Sequence, residues 1–201
     1  MTTLFLIRHG ETDWNRDRRI QGATDIPLND TGREQARAAA AELTGRLDTR
    51  RPVGVVSSDL SRARETAAII AGELGLAAPT VYPQLRERAY GEAEGMQIAE
   101  FHSRFGASHR GGVPGAEEPA DLRVRAIGAL DDVVGDLRRL TAPAPASLVI
   151  VSHGALLREV IGHASGGELP LEGERLANGS IHEVLYERDR LRLVSYAPIA
   201  A

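Results

Sequence analysis

Short apolar runs alternate along this chain with segments whose apolar residues recur at helical spacing, and this alternation limits the fold more than any other feature. Residues 4–7, 53–56 and 148–151 have the length and content of buried strands. A helical pattern follows each of them, and strands that alternate with helices form a mostly parallel sheet with helices on its faces. The sequence therefore predicts a single α/β domain over residues 1–201, with its ligand crevice at the carboxyl ends of the strands.

The helices are predicted from apolar stripes and from capping residues. Thr31 and Glu34 fit a capping box, which predicts a helix over about 31–47. Ser58, Asp59 and Ser61 are candidate caps for the next helix, whose apolar stripe ends at Leu74. Further helices are predicted over 96–105 and 155–162 and along a stripe from Leu122 to Leu140; residues 85–95 and 106–119 are predicted as loops, and 181–186 with 191–196 as a closing hairpin.

The composition excludes several kinds of chemistry. The chain has no cysteine, which excludes disulfides, thiolate nucleophiles and Cys-ligated metals. It has no lysine either, since all 24 basic residues are arginine, so a Schiff-base lysine and a Walker A lysine are excluded. The net charge of −4 without long blocks of one sign predicts no nucleic-acid partner. No apolar run approaches membrane length and no export signal precedes Arg8, so we expect a cytoplasmic protein with no membrane partner.

Polar residues follow three of the predicted strands and converge on the expected crevice. They are Arg8-His9-Gly10, the Ser57-Ser58 pair with Arg62 one turn into the next helix, and Ser152-His153-Gly154, while Glu87 lies in a neighbouring loop. Paired guanidinium groups bind oxyanions bidentately and would repel a metal cation, so we predict neither a metal nor a cofactor. Gly154 opens a helix whose free N–H groups suit a phosphate. The pattern predicts a site for a phosphoryl group.

The same residues lie in motifs that resemble a known family. The segment from Arg8 to Asn15, followed by Gln21-Gly22 and by residues 25–28, resembles the signature of the histidine phosphatase superfamily, the phosphoglycerate mutase-like proteins. Further landmarks follow in order at residues 58–67, 85–87, 91–95, 151–154 and 178–180. The resemblance covers most of the chain.

The resemblance implies a covalent mechanism and a role for each matched residue. His9 would attack phosphorus and form a phosphohistidine, and Glu87 would protonate the leaving alkoxide and then deprotonate water, a dual role that suits a carboxyl with a raised pKa. Arg8, Arg62 and His153 would stabilise the charge on the phosphoryl oxygens, with Asn15 as a neutral donor. Gly154 belongs to the same subsite, Gln21 and Gly22 would contact the leaving group, and Tyr90 would contact a carboxylated substrate.

Other polar residues receive less specific predictions. Glu11, Glu92 and Glu94 compete with Glu87 for the role of proton donor. Glu117 approximates a family Pro-Gly-Gly-Glu-Ser stretch, and its role stays open. Packing, surface or ion-pair roles are predicted for His102, His109, His163, His182, Arg64 and Arg88.

Three functions remain open at this point. The first is a phosphomonoesterase of the histidine acid phosphatase type that acts on small phosphate esters. The second is a cofactor-dependent phosphoglycerate mutase, favoured by Glu87-Arg88-Ala89-Tyr90-Gly91 but opposed by Ala155, where the mutases have Asn, and by the absence of lysine. The third is a module that only binds phosphate esters. The closing strands could also pair between subunits, which predicts a possible homodimer.

Overall fold

The central feature of the fold is a six-stranded, mostly parallel sheet between two layers of helices. The computed structural model describes residues 1–48, 50–106, 112–187 and 190–199. The strands are β1 (Thr2–Arg8), β2 (Val53–Ser57), β3 (Thr80–Val81), β4 (Ala146–Ser152), β5 (Arg175–Leu176), β6 (Ile181–Glu187), β7 (Arg190–Ser195) and β8 (Pro198–Ile199). The helices are α1 (Asp13–Arg16), α2 (Asp30–Thr44), α3 (Ser61–Glu73), α4 (Ile98–Phe105), α5 (Pro119–Thr141) and α6 (Gly154–Ala164).

The strand order of the main sheet is β3-β2-β4-β1-β6-β7. Strand β4 pairs in parallel with β1 and β2, and β3 pairs in parallel with β2, whereas β6 pairs antiparallel with β1 and β7 pairs antiparallel with β6. The α/β class with a mostly parallel sheet is therefore confirmed. The strands β5 and β8 form a separate two-stranded pair. Because β7 is an edge strand, it offers the edge that a homodimer could use, and the dimer stays a prediction.

Alternate side chains of the central strands pack on opposite faces of the sheet. On β1, Leu4 and Leu6 join the core under α5 and α6, while Phe5 and Ile7 join the core under α2 and α3. A third, small cluster around Phe101 packs the loops that lie above the carboxyl ends of the strands. Both faces of the sheet are thus covered, which leaves the strand ends as the place where polar side chains meet. None of the helices in the described parts of the chain has the length and hydropathy that crossing a membrane requires.

Several predicted details of the helices and loops are wrong. Helix α2 is capped by Asn29, whose side chain accepts the N–H of Gly32, and not by Thr31. The start of α3 is capped from a distance by Asp25, which accepts both the N–H and the hydroxyl of Ser61. The predicted loop over 85–95 includes the short 3₁₀ helix Gly91–Ala93, and another, Pro83–Leu85, ends at its first residue. Leu140 lies in α5, but it is 86% exposed and does not belong to the buried stripe.

Candidate active site

The ends of β1 and β4 bring the two predicted histidines together. Arg8 lies opposite Ser152 in the parallel ladder, and the N–H of His9 donates to the carbonyl of Ser152 at 2.9 Å. Both histidines are buried, and their ring centroids lie 5.1 Å apart. The two strand ends therefore lie side by side, as predicted, and their role as one site stays a prediction.

The hydrogen bond of His9 determines which ring nitrogen carries the proton. Nδ1 lies 2.7 Å from the carbonyl oxygen of Gly10. Because a carbonyl only accepts, Nδ1 is the protonated nitrogen and Nε2 keeps its lone pair. Burial, together with the charges of Arg62 and Arg8, holds the pKa of His9 well below 6.5. The ring is therefore neutral at neutral pH, with Nε2 available as a nucleophile.

His153 is held by a short hydrogen bond to Ser58. The hydroxyl of Ser58 lies 2.6 Å from Nε2 of His153, and both residues are fully buried. The other ring nitrogen, Nδ1, is buried and has no hydrogen-bond partner within the described part of the chain. Burial and then the charge of Arg62 hold the pKa of His153 well below 6.5, so this ring is neutral as well.

Backbone carbonyls hold the two arginines and leave part of each guanidinium unpaired. Arg62 donates from Nη1 to the carbonyl of Thr24 and from Nη2 to that of Gly22, both at 2.8 Å. Arg8 donates from Nη1 to the carbonyl of Leu176 at 2.5 Å. The Nε atoms of both arginines are buried without a partner among the residues described. Burial lowers the pKa of both groups, that of Arg8 to about 10. Both guanidiniums stay charged at neutral pH, and buried cations with unpaired N–H groups suit an oxyanion.

Glu87 lies at the start of α6. Its carboxylate accepts the N–H of Ala155 at 3.1 Å and that of Leu156 at 3.3 Å. A Cβ placed on Gly154 would lie 3.6 Å from Nε of Arg8 and 3.7 Å from Oε2 of Glu87, so these two side chains border the same space. The expectation that this helix offers free N–H groups to a phosphate is wrong for Ala155 and Leu156, because Glu87 already occupies them.

Asn15, Gln21 and Gly22 lie in the loop segments after β1. The side-chain oxygen of Asn15 accepts from Asn178, whose amide also donates to the carbonyl of His9 at 2.9 Å. Gln21 is buried, and its Oε1 has no partner in the described ranges. Gly22 has φ of 58° and directs its carbonyl to Arg62. Substrate contact by these three residues stays a prediction.

Glu94 holds the loop that orients Arg62. Its carboxylate accepts the N–H groups of Ala23, Thr24 and Tyr90 and the hydroxyl of Thr24. The carbonyls of this loop are the ones that bind Arg62. Glu94 is therefore a support of the site. Of the other competing carboxylates, Glu11 accepts from Asn29, and Glu92 is exposed.

Of the roles predicted for the remaining residues, most are confirmed and one is wrong. Arg64, His102 and His163 are exposed, and His182 is buried and bonded to Ser180, as predicted; His109 lies outside the described residues. Arg88 is not solvated, and it forms no ion pair with the residues that the structure describes. It is buried, donates to the carbonyl of Glu117 and lies over the ring of Tyr90. Burial, followed by the charge of Glu87, raises the pKa of Tyr90.

Sequence reasoning missed three residues that support the site. They are Asn178 and Glu94, in the contacts above, and Arg125 of α5, which donates to three carbonyls of residues 84–87. Asn178 lies in a family landmark, which was a usable signal. Within the described ranges, no group of three or more His, Cys, Asp or Glu side chains is arranged to hold a metal ion.

Comparisons with known proteins agree with this geometry. A family model described as the histidine phosphatase superfamily (branch 1) matches residues 4–198. The uncharacterized phosphatase PhoE of Bacillus subtilis (strain 168) is 35% identical over 198 residues, which cover 98% of this chain and 94% of the relative. The probable phosphoglycerate mutase GpmB of Photorhabdus laumondii is 35% identical, over 93% of this chain and 86% of the relative. A solved structure of a mycobacterial glucosyl-3-phosphoglycerate phosphatase with VO3 has a TM-score of 0.80 at 30% identity and covers 96% of this chain and 98% of that one.

Proposed function

Because the chain belongs to the histidine phosphatase superfamily (branch 1), we propose that it is a metal-independent phosphomonoesterase that hydrolyses small phosphate esters through a phosphohistidine on His9. The observation that carries this proposal is the hydrogen bond from Nδ1 of His9 to the carbonyl of Gly10. It leaves a lone pair on Nε2 in a buried site that also contains unpaired N–H groups of Arg8 and Arg62.

In the first half of the reaction, Nε2 of His9 attacks phosphorus in line with the ester oxygen. The N–P bond forms, the P–O bond to the leaving group breaks, and the leaving alkoxide takes a proton from Glu87. Glu87 lies beside Arg8 at the start of α6, where it can reach an ester bound to that arginine. The products of this half are the alcohol, a phosphohistidine and ionised Glu87.

In the second half, water replaces the alcohol. Glu87 removes a proton from the water. The water oxygen then bonds to phosphorus, and the N–P bond breaks. His9 is thereby released with its lone pair restored, and Glu87 is protonated again. No metal enters either step, because Arg8, Arg62 and the neutral His153 supply the donors that stabilise the charge on the phosphoryl oxygens.

The test is phosphate release in EDTA from a panel of monoesters that includes p-nitrophenyl phosphate and 3-phosphoglycerate. The wild type is compared with His9→Ala and with the matched control His163→Ala, which removes an exposed histidine of α6. We expect turnover by the wild type and the control and none by His9→Ala. Near-normal activity of His9→Ala would refute the covalent mechanism. No release by the wild type from any ester would refute the phosphatase.

A mutase is the second candidate, and the similarity to a probable phosphoglycerate mutase favours it. In a mutase the phosphohistidine would return its phosphoryl group to a bound phosphoglycerate before water reacts. Conversion of 3-phosphoglycerate to 2-phosphoglycerate in the presence of 2,3-bisphosphoglycerate, faster than phosphate release, would establish it. If the protein bound phosphate esters and catalysed neither reaction, it would be a module that only binds them.

A further inference from the structure

Arg125 uses its whole guanidinium group to hold the segment that carries Glu87. Nη1 donates to the carbonyls of Gln84 at 2.7 Å and Arg86 at 2.9 Å, and Nη2 donates to the carbonyl of Glu87 at 3.3 Å. Nε and Nη2 also donate to the two carboxylate oxygens of Glu117 at 2.8 and 2.7 Å. These five bonds use all five N–H groups of the side chain.

Contacts from neighbouring elements fix the shape of the segment that Arg125 holds, and one of them is the ion pair of Arg86 with Asp59. Residues 86–89 belong to no helix or strand, so their carbonyls are not bonded in a regular ladder. A loop of this kind has many backbone conformations, and fixing each residue costs roughly 1–2 kcal/mol. Through Arg125, α5 therefore supplies part of the donor set that fixes the backbone from which the Glu87 carboxylate extends to α6.

Glu117 fixes the other side of the same segment. Its backbone N–H donates to the carbonyl of Ala89 at 2.9 Å, and its carbonyl accepts from Nε of Arg88 at 2.8 Å. Its carboxylate pairs with Arg125 and neutralises that guanidinium. Arg125 and Glu117 together enclose residues 84–89 between α5 and the segment before it.

We propose that Arg125, with Glu117 as its counter-ion, is a positioning residue that holds the carboxylate of Glu87 at the start of α6 and thereby governs the proton transfers to the leaving group and from water. This inference rests on the proposed function for its catalytic part. Its structural part concerns only where the Glu87 carboxylate lies.

Two backbone amides report that position without any substrate. The N–H groups of Ala155 and Leu156 lie in the first turn of α6, where no carbonyl of the helix can accept them, and both donate to Glu87. The N–H of Leu157 donates to the carbonyl of His153 and is an internal reference. Amide hydrogen exchange by NMR at these three residues measures whether Glu87 has moved.

The experiment compares Arg125→Lys with Arg123→Lys. Arg123 lies on the same helix and pairs with Glu159 at 2.8 Å, away from the loop. We expect Arg125→Lys to raise exchange at Ala155 and Leu156 by roughly tenfold, in line with the loss of one hydrogen bond each, with Leu157 unchanged. Unchanged exchange at Ala155 and Leu156 would overturn the proposal whether or not the protein is a phosphatase. If Arg125→Lys does not fold, Glu117→Gln replaces it, because this variant keeps the size of the side chain that pairs with Arg125. The same rise in exchange at Ala155 and Leu156 is expected.

Kinetics test the catalytic part. We expect Arg125→Lys to lower kcat for 3-phosphoglycerate by roughly 10- to 100-fold, because misplacement of a catalytic group by about 1 Å costs this much. The loss on p-nitrophenyl phosphate, whose leaving group needs little protonation, should be much smaller. In the Glu87→Gln background, Arg125→Lys should add no further loss on 3-phosphoglycerate. Equal losses on the two esters, or additive losses in the double variant, would show a merely structural role and overturn the proposal.

Discussion

Replacing Glu94 by Gln changes the support of Arg62 while leaving the size of the side chain almost unchanged. Oε1 of Glu94 accepts the N–H groups of Ala23 at 2.8 Å and Tyr90 at 3.0 Å. Oε2 accepts the N–H of Thr24 at 2.9 Å and its hydroxyl. In the variant one of these oxygens becomes an NH₂ group, which cannot accept a hydrogen bond.

The loss in the free energy of unfolding is set by whichever of the two orientations of the new amide breaks fewer hydrogen bonds. If the NH₂ group replaces Oε2, the hydroxyl of Thr24 can rotate and accept, and the N–H of Thr24 keeps only its 3.2 Å bond to the carbonyl of Gln21. The bond that it loses has a charged acceptor, and such a bond contributes about 1.5–3 kcal/mol. The bonds from Ala23 and Tyr90 lose their charge assistance, which adds on the order of 1 kcal/mol. We expect a loss of roughly 2–4 kcal/mol in the free energy of unfolding, below the total stability of about 5–15 kcal/mol for a typical domain.

The functional consequence passes through the carbonyls of Gly22 and Thr24. Both bind Arg62, so a displaced loop moves the guanidinium away from the oxyanion it is proposed to hold. Urea unfolding measures the stability, and calorimetric titration with orthovanadate measures the affinity of the site. We expect Kd to rise by roughly tenfold, which corresponds to about 1.4 kcal/mol.

The matched control for this variant is Glu92→Gln. Glu92 is exposed, and its side chain makes no hydrogen bond to the residues described. We expect Glu92→Gln to change neither the free energy of unfolding nor the affinity for orthovanadate. If Glu94→Gln were as stable as the wild type and bound orthovanadate equally well, the support of Arg62 by this carboxylate would be refuted.

Three further predictions concern other buried groups, one in the sheet and two at the site. Burial, together with the charge of Arg46, lowers the pKa of His182 to about 4. Between pH 6.5 and 4 the unfolded chain therefore binds a proton at this residue that the folded protein does not bind, which lowers the stability by about 3 kcal/mol as the pH falls. Urea unfolding across this pH range should show this loss in the wild type and not in His182→Gln. Gly10→Ala would place a Cβ 2.3 Å from the carbonyl oxygen of Gly32, so its thermal midpoint should fall by the equivalent of at least about 1–3 kcal/mol, whereas Gly72→Ala, with open space in α3, should stabilise by roughly 0.5–1 kcal/mol. Ser58→Ala removes the 2.6 Å bond to His153 and should weaken orthovanadate binding by roughly tenfold, but Ser57→Ala, which removes a buried hydroxyl without a partner in the described ranges, should leave binding unchanged; equal effects of the two serines would contradict the role of Ser58.

The strands that form the site were predictable because their signal is local. A run such as residues 148–151 is apolar on both faces, and the polar residues that follow it mark where the strand ends. Two-residue strands such as β5 and β8 contain no period that a sequence could reveal. The strand order also could not be predicted, because it depends on long-range pairing that no local pattern encodes.

The capping residues show the same limit at the level of single contacts. Asn29 lies two residues before the capping box that the sequence suggests, and helix ends are uncertain by that much in any local pattern. Asp25 caps α3 from 36 residues away along the chain. A cap supplied from another segment satisfies the same N–H groups as a local one but leaves no mark near the helix.

The groups that would react with the substrate were predictable from the sequence, whereas most of those that hold them were not. His9, Glu87 and His153 lie in motifs, because the residue type itself is what the chemistry needs. Arg125 lies in an otherwise ordinary amphipathic helix, and its contacts with the Glu87 segment become visible only when α5 is packed on the sheet.

The support of the site explains how two buried guanidiniums can be tolerated without a full set of carboxylates. A buried cation is costly unless it is paired or hydrogen-bonded. Arg8 and Arg62 receive carbonyl oxygens from Leu176, Gly22 and Thr24, which stabilise them without neutralising their charge. Carboxylate partners in those places would have satisfied the same N–H groups but would have competed with a phosphoryl group for both charge and space. The carbonyls therefore leave an excess of positive charge and unpaired Nε–H groups in the site, which is the state that the proposed dianionic ester would require.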